Sequence, residues 1–151
     1  VTTGEIVDMD FHDSMNMGAA MAMAALDTIV RNFRDLGVDE THYDQIITGD
    51  LGTVGRRLLL DYLMQAGYRI ESRYMDCGIE MFSPEEQDTH AGGSGCGCSA
   101  AVLCGYILPK IRSGEWKRVL FLPTGALLST VSFNEGKSVP GIAHAVVLEV
   151  S

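Results

Sequence analysis

The chain has 151 residues, 46% hydrophobic and 21% charged, with a formal net charge of −9, a composition that fits one globular domain with a sizeable core. The acidic balance opposes nucleic acid and direct docking on anionic lipid, since its eight arginines and three lysines form only the pairs Arg56–Arg57 and Lys117–Arg118. No apolar stretch approaches the roughly 20 residues of a membrane span, and four cysteines, three of them within nine residues, suit a reducing compartment better than a disulfide framework.

The opening VTTGEIVDMDF has no initiator Met and no basic-then-apolar leader pattern. It enters directly into alternation, which suggests a segment of a longer polypeptide, and Gly4–Asp10 is predicted as a strand. A helix is predicted over Met15–Arg34, capped by Ser14 or Asn16 and stopped by Gly37. Tyr43–Thr48 reads as a short strand ending at Gly49, and Thr53–Ala66 as a helix with one charged face, closed by Gly67. Residues 68–92 leave a short strand or a loop open. A third helix runs from about residue 94 to about residue 113 and stops at Gly114. Arg118–Leu122 and Ala143–Val150 read as strands around a glycine-rich loop through Gly141. This order predicts a single α/β domain over residues 1–151, a mixed sheet with helices on both faces.

Two helices are unusually apolar. MGAAMAMAALDTI (17–29) has almost no polar face, and GCGCSAAVLCGYIL (95–108) has no charged residue at all. A helix apolar all round is buried on every side, so the second is predicted as central, sandwiched between layers. Pro109 has no N–H to donate to the carbonyl of Gly105, which loosens the last turn. Such burial needs more protein on the far side than 151 residues readily supply, and it predicts half of a pseudo-symmetric molecule.

The stretch HAGGSGCGCSAAVLCGYILPKI (90–111) carries the candidate chemistry. Cys96 or Cys98 at a helix start would have a lowered thiol pKa, and His90 is the base near in sequence; the competing reading is small apolar packing residues. A zinc site from Cys77, His90, Cys96 and Cys98 has poor spacing, because a Cys-x-Cys inside a helix points its thiols to different sides. Gly92, Gly93, Ser94 and Gly95 offer free amides at the positive end of a helix, an anion site for a carboxylate as much as a phosphate. No Gly-Lys-Ser/Thr follows, so it is not a nucleotide loop. His12 and His42 read as surface residues, and His144 as a core or interface residue of the last strand.

The strings NMGAAMAMAALDTI, ITGDLGTVGRRLL, DCGIEMF, HAGGSGCGCSAAVL, LFLPTGALLS and VPGIAHAVVLE run from Asn16 to Glu149. Through them the chain resembles the C-terminal half of the stage V sporulation protein AD family, in the thiolase-fold superfamily. The resemblance implies a five-layered intact protein that moves dipicolinic acid, free or as its calcium chelate, into the developing spore. It further implies an intracellular place in the forespore or spore, held peripherally at the inner spore membrane by other subunits of a transport assembly.

Condensing relatives add a His or Asn after the second strand, another at the central helix start, and in thiolases a Cys before the last strand. Counted without gaps, those places fall near Gly49, Ser94 and Lys137, none of which supplies the base and oxyanion donors needed in concert. The expectation is therefore a non-catalytic protein with no cofactor and no resident metal. Its expected ligand-binding residues are Gly49, Asp50, Gly93, Ser94, Gly95, Cys96 and His144, with Asp50 offering an oxygen to chelated calcium. A condensing enzyme with a new role for Cys98 or His90, and a structural scaffold for the membrane assembly, are the alternatives. On its own the chain is expected to self-associate or to bind the missing N-terminal half, because residues 95–108 have no charged face for water.

Overall fold

Alternate residues of the strands face opposite ways, and this period of two sorts the core into two halves. In the computed structural model, which describes every residue except Met15, Pro84, Ser94 and Ser151, Ile46, Leu120 and Leu122 join one apolar cluster, while Ile47, Val119 and Phe121 join a second. The strands concerned are β1 (Gln45–Thr48) and β3 (Arg118–Leu122). With β2 (Tyr74–Asp76) and β6 (Val146–Glu149) they form a sheet in the order β2-β1-β3-β6. The first two pairings are parallel and β3–β6 is antiparallel, with Phe121 opposite Val146. The predicted mixed sheet is therefore observed.

Helices cover both faces, as expected. On one lie α1 (Met17–Leu36) and α2 (Gly52–Gln65). Their Ala22, Ala25, Ile29, Phe33, Leu59 and Leu63 are buried against Ile46 and Leu120; each large side chain of this kind contributes about 1.5–3 kcal/mol. Gly18 and Gly55 let α1 and α2 approach closely, since a Cβ at Gly55 would lie 2.5 Å from the Gly18 carbonyl oxygen. On the other face lie α3 (Cys77–Glu80) and the composite helix 98–112, made of α4 (Cys98–Val102), a π-helical turn (Leu103–Ile107) and α5 (Leu108–Arg112). Cys98, Val102, Ile107 and Ile111 pack on Ile47, Met75 and Phe121.

The expectations fail at several places, each for a local reason. Gly4–Asp10 is no strand: within it only Val7 bridges, to Gly141, with Thr2 just before it bridging Ala145, because the Gly4 amide donates to the His144 ring instead of a ladder carbonyl. The last strand divides into β5 (Gly141–Ala143) and β6. β5 pairs antiparallel with β4 (Thr124–Ala126), a strand within the predicted glycine-rich loop. That loop also holds a short helix, α6 (Thr130–Asn134), capped by Ser129. The third helix starts at Cys98 rather than about residue 94. Pro109 loosens it one turn earlier than expected: the Leu108 amide donates to Leu103 five residues back, which spares the Gly105 carbonyl from the ring. Within this chain the helix is buried on one side, and Ala100, Ala101, Cys104, Gly105 and Tyr106 of its other side are exposed.

Asp76, at the end of β2 and 1% exposed, ties the sheet to the helices above it. Its Oδ2 accepts from Thr48 Oγ1 at 2.6 Å and from the Leu51 amide at 2.9 Å. Its Oδ1 accepts from the amides of Gly52 at 3.1 Å and Ile79 at 3.3 Å, and so caps α3 and orders the β1–α2 turn. Burial raises its carboxyl above the usual range, against the pull of these four donors. An amide has a donor where one of the two oxygens must accept. Asp76→Asn is expected to cost about 2–4 kcal/mol in urea unfolding; a loss under 1 kcal/mol in such a titration would remove Asp76 from this role.

The N-terminal segment is also held by His12, whose Nδ1 lies 2.9 Å from the Gly136 carbonyl and whose Nε2 lies 2.9 Å from Asp10 Oδ1. Both partners are acceptors, so the imidazolium alone serves both, and the Asp10 bond followed by the Gly136 bond raises the His12 pKa. The added stability is present in full below the ordinary value near 6.5 and is lost as pH rises through the raised folded value. NMR titration should give His12 a midpoint above about 6.5, and the Val139 amide, which donates to Phe11, should follow it. A midpoint at or below the ordinary value would dismiss the arrangement.

Candidate functional site

Beyond Thr48 the chain turns through Gly49 and Asp50 toward α2, and this turn is where distant segments meet. Asp50 Oδ1 accepts from Thr124 Oγ1 at 3.1 Å, and Oδ2 accepts from the Gly95 amide at 3.1 Å. The Asp50 amide donates back to Thr124 Oγ1 at 3.2 Å. One carboxylate thus joins the end of β1, the start of β4 and the loop before α4. At Gly49 an added Cβ would come within 2.7 Å of both Ser99 Oγ and Thr124 Oγ1, and within 2.8 Å of the Thr124 amide nitrogen. No side chain stands there without moving backbone.

The glycine run before α4 has a different part from the one its sequence suggests. The Gly93 amide donates to the Gly78 carbonyl at 2.6 Å, and a Cβ at Gly93 would overlap the Phe82 ring, 2.2 Å from its nearest carbon. Gly95 has φ +127°, a region that L side chains rarely adopt, and its amide faces Asp50. Both amides therefore serve acceptors inside the chain. Ser94 lies outside the described residues.

Beside this junction is a cleft of about 210 Å³, walled by residues 16–18 at the start of α1, by Asp50 and Gly52, and by residues 89–93. Among the expected site residues, Asp50 and Gly93 line it, and Gly49 and Gly95 lie beside Asp50 in chain or hydrogen bonding. Cys96 is exposed and outside its lining. His144 is exposed and engaged with Gly4, with Nδ1 accepting that amide at 3.0 Å. His90 also lines the cleft, with a left-handed φ of 50° and Nδ1 at 3.6 Å from Asp88.

The thiols are of two kinds. Cys96 and Cys104 are exposed, while Cys77 and Cys98 are buried. Cys98 Sγ lies 3.9 Å from the Gly49 carbonyl. Burial, then the Asp50 and Asp76 charges, push its thiol up to about 11. Burial and Asp76 push Cys77 up to about 12. The lowering expected at a helix start is overridden by desolvation and by two carboxylates. Among the described residues, no three His, Cys, Asp or Glu side chains gather as a metal site.

Three positions that build this junction were missed by sequence reasoning. Thr124 and Ser99 carry no signal, since their roles arise only from the approach of β4 and α4 to Gly49. Asp76 did carry one: a lone acid at a strand end, just before a short apolar helix, is an N-cap pattern.

A solved structure of cerulenin-bound OleA from Xanthomonas campestri matches 95% of this chain and 36% of its own, with a TM-score of 0.45 and 14% identity. The curated stage V sporulation protein AD of Bacillus subtilis (strain 168) is 43% identical over 148 residues, which is 98% of this chain and 44% of that protein. The chain thus spans less than half of the relative's length. The family model described as stage V sporulation protein AD matches residues 1–149, and the chain belongs to that family of sporulation proteins.

Proposed function

We propose that the chain is a non-catalytic binding module for dipicolinic acid, in the form of its calcium chelate, serving uptake into the developing spore. The ligand class follows from the family resemblance, and the observation that carries its form is the Asp50 carboxylate on the cleft wall. A free dipicolinate dianion would meet that charge and a net −9 chain. The neutral chelate does not, and its calcium accepts carboxylate oxygen. Local groups outweigh the global charge here, since the screening length at physiological salt is about 8 Å.

Three features support a binding rather than a condensing role. Attack on a thioester needs a thiolate, and Cys98 is held as thiol. The space where a condensing relative would carry a His or Asn is filled at Gly49 by Thr124 and Ser99. His90, which lines the cleft, is exposed beside Asp88. On this reading the exposed, uncharged surface of residues 100–106 is covered by the rest of the longer family protein, with a second copy of the chain as the alternative occupant. Other subunits of a transport assembly hold the protein at the inner spore membrane; no helix among the described residues is long and apolar enough to cross one.

Titration calorimetry of the full-length family protein with dipicolinate, with and without calcium, tests the ligand. Saturable binding of the chelate, weakened at least about tenfold by Asp50→Ala, or about 1.4 kcal/mol, is the expected result. Binding indifferent to calcium and to Asp50 would place the ligand elsewhere. Turnover of acyl thioesters that Cys98→Ala abolishes would instead make the protein an enzyme.

Thiol chemistry gives a separate check. At about pH 8, Cys98 and Cys77 should alkylate with iodoacetamide at least about a hundredfold more slowly than free cysteine, whose pKa is near 8.5. Peptide mapping should find the early label on Cys96 and Cys104. Early labelling of Cys98 would mean an accessible thiolate and would reopen the nucleophile reading.

A further inference from the structure

A second concave site lies away from the Asp50 cleft, on the outer side of α2. Arg56, Arg57, Leu60, Asp61 and Met64 recur at helical spacing along α2, and residues 68–71 of the following turn close the other wall. The groove holds about 540 Å³, within the usual range for small-molecule sites. Leu60, Met64, Tyr68 and Ile70 give it an apolar floor, and Arg56, Arg57 and Arg69 bring three guanidiniums to it.

Their charge is not spent inside the protein. In a chain with twenty acidic residues, Arg31 and Arg118 have carboxylate partners, yet none of these three forms an ion pair among the described residues. Asp61 and Glu71 also line the groove without pairing to them. Arg56 lies with its guanidinium carbon 5.9 Å from the centre of the Tyr74 ring, a contact that orients it and leaves its charge in place. Of the charged groups that line the groove three are positive and two negative; Glu40, outside the lining, takes the Arg69 backbone amide at 3.2 Å and leaves its guanidinium unpaired among the described residues. A guanidinium presents a planar pair of donors that matches a carboxylate or phosphate and stays charged at any accessible pH.

We propose that this groove is a site for a small organic anion, a flat apolar body bearing a carboxylate or phosphate. The guanidiniums of Arg56, Arg57 and Arg69 hold its charged end, and the floor of α2 and Tyr68 receives its body. The site is separate from the Asp50 cleft and does not depend on what binds there.

Benzoate and inorganic phosphate are the probes, followed on this chain by NMR of the arginine Nε–Hε groups and backbone amides. Benzoate should shift Arg56, Arg57, Arg69 and the Tyr68 amide saturably, more weakly as salt rises, and leave the Gly95 amide unmoved. Arg57→Gln, at an exposed position, should lower the affinity about tenfold. Asp61→Asn should raise it about two- to fivefold by removing an opposing charge, a gain that a damaged fold does not produce. No saturable shift at the three guanidiniums, or an affinity unchanged in both variants, would overturn the proposal. Saturation by phosphate with benzoate silent would overturn it too, because the apolar floor would then contribute nothing.

Discussion

Asp76 accepts from Thr48, Leu51, Gly52 and Ile79 while almost fully removed from water. A buried carboxylate is tolerated only when donors surround it, so the four donors and the acid fix one another. That constraint sets where β1 stops, where α2 starts and how α3 leaves β2. The turn carrying Gly49 and Asp50 lies between two of those donors, and its position follows from theirs. Tyr74 extends the network, with its hydroxyl at hydrogen-bond distance from Thr48 Oγ1; burial, aided by the Asp76 charge, keeps that phenol protonated.

A second carboxylate, Asp50, is set on top of the first. It holds Thr124 and Gly95, and thereby brings β4 and the glycine loop against the end of β1. Burial first, and the two acids after it, raise the Cys98 and Cys77 thiols. Helix starts ordinarily favour thiolate, through about half a unit charge of dipole. Here burial and two neighbouring acids act the other way, and they win. The same electrostatics that suppresses a nucleophile places a negative wall beside the cleft.

The sheet divides the molecule unequally. On the α1–α2 face the cover is complete, with Ile29, Phe33, Leu59 and Leu63 fully buried. The helix on the opposite face has one side on the sheet, and its Ala100, Ala101, Cys104, Gly105 and Tyr106 are exposed without a charge among them. Leu127, Leu128, Val131 and Phe133, around α6, are exposed as well. These exposed apolar groups are the surface that the proposed cover would meet.

Much of the fold was legible because it rests on local periodicity. Val119 to Leu122 are an unbroken run of large apolar residues that favours a buried strand, and the Gly37 stop of α1 needs only a left-handed residue. Family membership was equally legible, since it is carried by strings such as HAGGSGCGCSAAVL. Long-range encounters were not. The glycine run read as an empty anion cradle because nothing in the sequence announces that Asp50, forty-five residues earlier, turns to meet the Gly95 amide. The strand expected over Gly4–Asp10 failed because its ladder partner was replaced by the His144 ring, 140 residues away. Cys98 looked like a helix-start thiol until tertiary packing put it between two acids. Spacing determined the elements; which groups share one low-dielectric junction was decided only when distant segments closed on Asp76 and Asp50, since charge interactions act through space and not along the chain.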